Sequence, residues 1–189
     1  MNVSELAAGL WRWTARHPDW KEGSDWEQDV GCVYYEAPGA TVLIDPLVPA
    51  ERERFFEALD RDVERRELPV VILLTCAWHE RSSGELTERY GAATDGFVEG
   101  VVALPFQIAD ETMYWLPDHR SLVTGDSLMG DGGGGITVCP DTWLEGDAPA
   151  LLRRDLRPLL DLPIELVLVS HGEPVLERGH AAIERALRT

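Results

Sequence analysis

The stretch Val71-Ile72-Leu73-Leu74-Thr75-Cys76-Ala77-Trp78-His79-Glu80-Arg81-Ser82-Ser83-Gly84 decides how this chain folds. It belongs to a nearly all-apolar run from Leu68 to Thr75, with the length and β-branched character of a strand covered on both faces. The run ends abruptly in polar and ionisable side chains. Ser82-Ser83-Gly84-Glu85 then reads as a helix start, a hydroxyl followed by an acid three residues on. That helix should run to about Tyr90 and end at Gly91. Two later segments have the same form: Val123-Thr124-Gly125-Asp126-Ser127-Leu128 and Val167-Leu168-Val169-Ser170-His171-Gly172-Glu173-Pro174. Each is an apolar β-type run ending in Gly with an ionisable side chain. Strand ends are where α/β sheets place their binding groups, so the three are expected to converge on one site.

Working outward, Leu10–Arg16 alternates apolar and polar residues and predicts an early strand. Val30–Tyr35 and Thr41-Val42-Leu43-Ile44-Asp45, separated by a Pro38-Gly39 turn and closed by Pro46, complete an antiparallel opening. Pro49–Arg66 carries Phe55, Phe56, Leu59 and Val63 near helical spacing. Further strands are predicted at Phe97–Leu104, Thr112–Leu116, Ser121–Thr124 and Ile164–Ser170, and helices at Ala148–Leu160 and Leu176–Leu187. The glycine-rich Gly130–Gly135 predicts a flexible loop. No Lys-Ser/Thr follows it, so a phosphate-binding role is not indicated. The order of elements predicts two stacked sheets with helices outside.

At 189 residues the chain is expected to form a single domain, 1–189, and a hydrophobic content of 44% is enough to fill its core. No stretch approaches the roughly 20 apolar residues of a membrane span, and no signal-peptide pattern opens the chain. A cytoplasmic protein with no membrane partner is therefore expected. The net charge is −17, from 34 acids against 17 bases, a surface that repels phosphate backbones and argues against nucleic-acid partners. Lys21 is the single lysine and the remaining bases are scattered arginines. Cys32, Cys76 and Cys139 form no CxxC pair and read as reduced, buried thiols. The expected partner is a small-molecule ligand or substrate. No coiled-coil seam indicates an oligomer.

Taken together, the three strand ends resemble those of the metallo-β-lactamase fold, an α/β (α+β) four-layer αββα sandwich used by many hydrolases. The likeness covers nearly the whole chain. Tyr114-Trp115-Leu116-Pro117-Asp118-His119-Arg120-Ser121-Leu122-Val123-Thr124-Gly125-Asp126 is similar to the hairpin that delivers that family's metal-bridging Asp. Ser170-His171-Gly172 is similar to the segment that supplies its final His. The departures are as informative. With the family motif T-H-x-H-x-D-H placed on Thr75, its first two His positions hold Cys76 and Trp78. Its Asp position holds Glu80 and its last His position Arg81, while His79 stands one position off. Glu111 stands where a further His is expected.

The resemblance therefore implies a degenerate metal site. Two-zinc chemistry needs a larger set of neutral His and bridging carboxylate ligands than this chain offers. Trp78 has no lone pair to give, and Arg81 is a fixed cation. Three readings follow. One divalent metal, zinc, manganese or iron, is held by some of His79, Glu111, Asp126 and His171. Alternatively no metal is needed: Arg81 replaces it beside a pocket carboxylate, with His79 and Asp126 as further catalytic candidates. The third is a non-catalytic ligand-binding or scaffold protein of the same fold. The first two describe a hydrolase-like protein whose substrate the sequence does not name.

Several residues also have ordinary structural readings. Glu80 favours the dipole of the following helix. Cys76 is a small buried hydrophobe, and Asp126 caps a turn. His17, His119 and His180 are surface residues. The tryptophans pack the core and loops, with Trp78 at a pocket mouth and the segment around Trp143 shaping its rim.

Overall fold

The computed structural model describes residues 2–94, 96–144, 146 and 148–188. The chain divides into two compact units, Met1–Val101 and Val102–Thr189.

The first unit is built on a five-stranded sheet in the order β1-β2-β3-β4-β5. β1 (Asn2–Ala7), β2 (Leu10–Arg16), β3 (Asp29–Ala37) and β4 (Ala40–Ile44) form an antiparallel meander. β5 (Val70–Leu73) then pairs parallel to β4. A parallel pair needs a crossover, and α1 (Arg52–Arg66) supplies it. Phe55 and Leu59 are the buried residues of α1, one turn apart on a single face. They share a core with Trp13, Val30, Leu43, Ile72 and Leu86. α1 ends at Glu67, whose left-handed backbone lets its N–H return to Val63 O. α2 (Ser83–Tyr90) follows β5 and ends at left-handed Gly91, as its sequence implies.

The second unit holds a four-stranded sheet in the order β11-β8-β7-β6. β6 (Val102–Phe106), β7 (Glu111–Leu116) and β8 (Ser121–Val123) are antiparallel, and β11 (Leu166–Leu168) joins β8 in parallel. A small hairpin of β9 (Leu128–Gly130) and β10 (Ile136–Val138) follows β8 in sequence. The helices are α3 (Ala148–Asp155) and α4 (Gly179–Ala186). Leu152 of α3 and Ile183 of α4 share a core with Met113, Leu122, Leu128 and Val167. No helix among the described residues is long and apolar enough to cross a membrane.

The elements differ from the sequence expectation at several places. β1 was not foreseen, because it is an edge strand with its first four residues exposed and shows no apolar pattern. The strand expected at Phe97–Leu104 starts only at Val102, and Phe97 stands 91% exposed in a loop. The helix expected over Ala148–Leu160 stops at Asp155, and Pro158 falls in a separate 3-10 turn over Arg157–Asp161, where its missing N–H costs nothing. The loop Gly130–Gly135 is a tight hairpin turn in which the Asp131 carboxylate accepts the N–H groups of Gly133 (2.7 Å) and Gly135 (2.8 Å).

Gly130 also fixes the end of β11. Its N–H donates to His171 O at 2.9 Å, and a Cβ placed on it would meet the Glu173 backbone N and O at 2.6 Å. Gly172, at φ +82°, packs against Gly130 in return. Gly130→Ala is expected to cost about 1–3 kcal/mol, since backbone rather than a flexible side chain must move. Urea denaturation checks this; an unchanged midpoint would contradict the close approach.

Candidate functional site

In the first unit the chemistry gathers where β4 and β5 end. Asp45 follows β4, is 2% exposed, and adopts a left-handed backbone at φ +49° that Asp tolerates better than most residues. Its N–H bonds to Leu73 O at 3.0 Å, so its side chain is delivered beside the end of β5. There Oδ1 accepts the Thr75 N–H at 2.8 Å and Oδ2 accepts the Thr75 hydroxyl at 2.6 Å. His79 Nδ1 stands 2.9 Å from both Asp45 Oδ2 and Thr75 Oγ1.

These three contacts fix the imidazole tautomer. The Thr75 hydroxyl has one proton and donates it to Asp45, so it can only accept from His79. A carboxylate likewise offers only lone pairs. His79 Nδ1 must therefore carry the proton, and in the neutral ring Nε2 carries the lone pair. A carboxylate behind a histidine is the usual way a protein orients an imidazole for ligation or proton transfer.

The short 3-10 segment that carries His79, Ala77–Glu80, is kinked at His79 itself (φ −88°, ψ 15°). It turns His79 inward, 4% exposed, and Trp78 outward, 62% exposed. His79 thus takes the inward place although the family motif sets its second His on Trp78. Cys76 precedes the turn and is buried, whereas Glu80 is exposed. The next residue, Arg81, has φ +41° and ψ −107°. Its Nη1 donates to the carbonyls of Asp45 at 3.0 Å and Gly31 at 3.3 Å, so the guanidinium is anchored on the backbone of the residue that holds His79. Ser82 occupies the N-cap position of α2, but its hydroxyl accepts from the Val48 N–H at 2.9 Å and makes no cap bond.

In the second unit Glu111, Asp126 and His171 come together. Glu111 opens β7 and is 3% exposed. Its Oε1 accepts the Gly125 N–H at 2.8 Å, and its Oε2 accepts the N–H and the hydroxyl of Ser127 at 2.8 and 2.5 Å. Both carboxylate oxygens of this candidate ligand are thus engaged by the turn on either side of Asp126. The geometry makes Glu111 a positioning residue. Burial pushes its carboxyl above the ordinary carboxylate range, against the lowering effect of the Ser127 and Gly125 donors.

Asp126 projects from that turn with its side chain 25% exposed, and its Oδ1 lies 3.1 Å from His171 Nε2. Two donors of one ion bound at about 2.1 Å stand roughly 3.0–3.4 Å apart, so this pair has the spacing of two ligands of one metal. It has equally the spacing of a direct ion pair. Trp143 meets the His171 ring edge-on, with centroids 5.8 Å apart. Of the other histidines, His17 stacks edge-on with Trp26, and His180 places Nε2 3.0 Å from Leu160 O.

Sequence reasoning missed Asp45 and Thr75. The one available signal was an acid ending a buried strand immediately before Pro46.

No family model matches the sequence, and no curated protein matches it. Solved structures do. A metallo-β-lactamase from Hirschia baltica aligns with a TM-score of 0.65 at 14% identity, covering 99% of this chain and 96% of that one. One from Erythrobacter litoralis aligns at 0.62 and 17% identity, covering 98% and 90%. A metallo-β-lactamase family protein from Thermus thermophilus aligns at 0.57 and 14% identity, covering 97% and 80%. The chain has the metallo-β-lactamase fold, and the likeness is one of fold.

Glu111→Ala leaves two backbone N–H groups and one hydroxyl without their acceptor, so a loss of roughly 3 kcal/mol or more is expected by denaturation. Glu111→Gln should cost less. Because burial raises the folded-state pKa, the folded protein holds this proton more tightly than the unfolded chain. The group's contribution to stability is therefore complete below the ordinary carboxylate pKa and falls as pH rises through the raised value. Glu111→Gln should flatten that slope; an identical pH profile would contradict it.

Proposed function

We propose that the two units work as one domain, a metallo-β-lactamase-fold, hydrolase-like protein with a degenerate site for at most one metal ion. The observation that carries this reading is the Asp45–Thr75–His79 arrangement, which leaves His79 Nε2 as a lone-pair donor. Asp126 and His171 offer the other donors, at a spacing that suits a shared ion. One carboxylate and two imidazoles suit zinc, manganese or iron. Such an ion, when bound, lowers the pKa of its water and polarises a substrate carbonyl or phosphoryl group.

The chain's own residues do the rest. Asp45 and Thr75 hold the imidazole in one tautomer. Glu111 holds the backbone around Asp126. Trp78 and Trp143 offer apolar surface to a small-molecule substrate. With Trp78 and Arg81 in the motif, the ligand set falls short of a two-metal centre. A cytoplasmic setting belongs to the same proposal.

The test is metal content after purification without chelator. About one equivalent of zinc, manganese or iron is expected, lost in His79→Ala, Asp126→Ala and His171→Ala alike. Absence of metal, with no rise in melting temperature on adding these ions, would overturn the reading.

A second reading, a non-catalytic binding protein with Arg81 in place of the metal, is favoured by one observation. The Arg81 guanidinium is bound to the Asp45 carbonyl and so brings a permanent cation to the end of β4. On this reading Arg81→Ala should lower stability by about 2–4 kcal/mol, by leaving the Asp45 and Gly31 carbonyls without their donor. A neutral effect on unfolding would remove it.

A further inference from the structure

The first unit holds a cavity that the candidate site does not use. It lies between one face of the sheet and α1 and has a volume of about 240 Å³. The sheet side is aromatic by register. Trp11 and Trp13 are two apart on β2 and so share a face. Trp11 pairs with Tyr34 of β3, and Trp13 with Val3 of β1. The helix side is Phe55 and Leu59, with Ala58 between them and Arg61 and Asp62 at the next turn. Trp11 and Tyr34 meet edge-on at 5.3 Å, and Trp13 and Phe55 tilt together at 5.6 Å. These paired rings make rigid walls, and the Trp13 indole is further tied by its N–H to Leu47 O at 2.9 Å.

Charge at the rim decides what such a cavity takes. Asp62 is within 3.2 Å of Arg65, and Glu36 near Tyr34 is paired with both Arg65 and Arg66. The local acids are therefore neutralised. Arg61 lines the cavity and has no ion-pair partner among the described residues, in a chain with twice as many acids as bases.

We propose that this cavity binds a small organic anion. Its apolar body, one aromatic ring or a short alkyl chain, lies among Trp11, Trp13, Tyr34 and Phe55, and its terminal carboxylate pairs with Arg61. The volume suits one ring, since cavities of about 150 Å³ accept benzene. Aromatic walls with a small number of polar groups are the usual composition of a small-molecule site, and of the two charged ones here Asp62 is already paired with Arg65. A guanidinium offers a carboxylate two parallel N–H donors.

The experiment is calorimetric titration of the whole chain with three probes of one shape: 3-phenylpropionate, 3-phenyl-1-propanol and 3-phenylpropylamine. The anion should bind about threefold or more tighter than the alcohol, the gain of one partly exposed ion pair, with the amine weakest. Arg61→Gln should bring the anion down to the level of the alcohol and leave the alcohol unchanged. Ala58→Leu, which fills the cavity, should abolish binding of both while the circular dichroism spectrum stays that of the wild type. No binding of 3-phenylpropionate at millimolar concentration would overturn the proposal. So would an amine that binds as tightly as the anion, or binding unaffected by Ala58→Leu.

Discussion

The structure where β4 and β5 end depends on one buried carboxylate. Asp45 is withdrawn from water, and a polar group so placed is tolerated only when its hydrogen-bonding atoms are satisfied. Thr75 serves them twice, through its N–H and its hydroxyl, and His79 serves them a third time. These bonds span 30 and 34 residues of sequence and tie the end of β4 to the exit of β5. The delivery of Asp45 beside the end of β5 and the inward turn of His79 serve that carboxylate, while Arg81 binds the backbone carbonyl of the same residue.

The second unit uses the same device. Glu111 is also a buried carboxylate, and it too takes an N–H and a hydroxyl from one residue, here Ser127, with a further donor from Gly125. In each unit the carboxylate sets the shape of a turn, and the turn presents an ionisable side chain, His79 in one and Asp126 in the other. Each is also tied to the neighbouring parallel strand, Asp45 N–H to Leu73 O of β5 and Thr124 N–H to Leu168 O of β11, both at 3.0 Å. Residues that resemble ligands by type can thus serve as the frame that aims a ligand.

This distinction explains what could be read from the sequence. The strands β2 to β5, the helix α1 and the left-handed stop at Gly91 follow from local pattern, and structure and sequence agree on them. Asp126 and His171 were legible because each ends an apolar run beside a glycine. Asp45 was not, because its role arises from partners 30 and more residues away. Glu111 was read as a candidate ligand from its position alone, and only the three donors on its oxygens reveal its task. Ser82 illustrates the same limit: it stands where a cap belongs, while its hydroxyl serves the Val48 N–H. The shift of His79 into the place of Trp78 depends on a four-residue turn kinked at His79, which no periodicity encodes.

Every proposed role of the His79 ring needs Nε2 as the acceptor, and so needs Asp45 and Thr75 to fix its tautomer. Nitrogen-15 NMR of the imidazoles reports this directly. The chain has 5 histidines, and the difference spectrum against His79→Gln isolates the relevant one. In metal-free protein above the pKa of the ring, His79 should show a protonated Nδ1 and a pyridine-like Nε2, and Asp45→Asn should abolish that preference. A His79 ring protonated at Nε2, or one whose tautomers exchange freely in the wild type, would contradict the assignment.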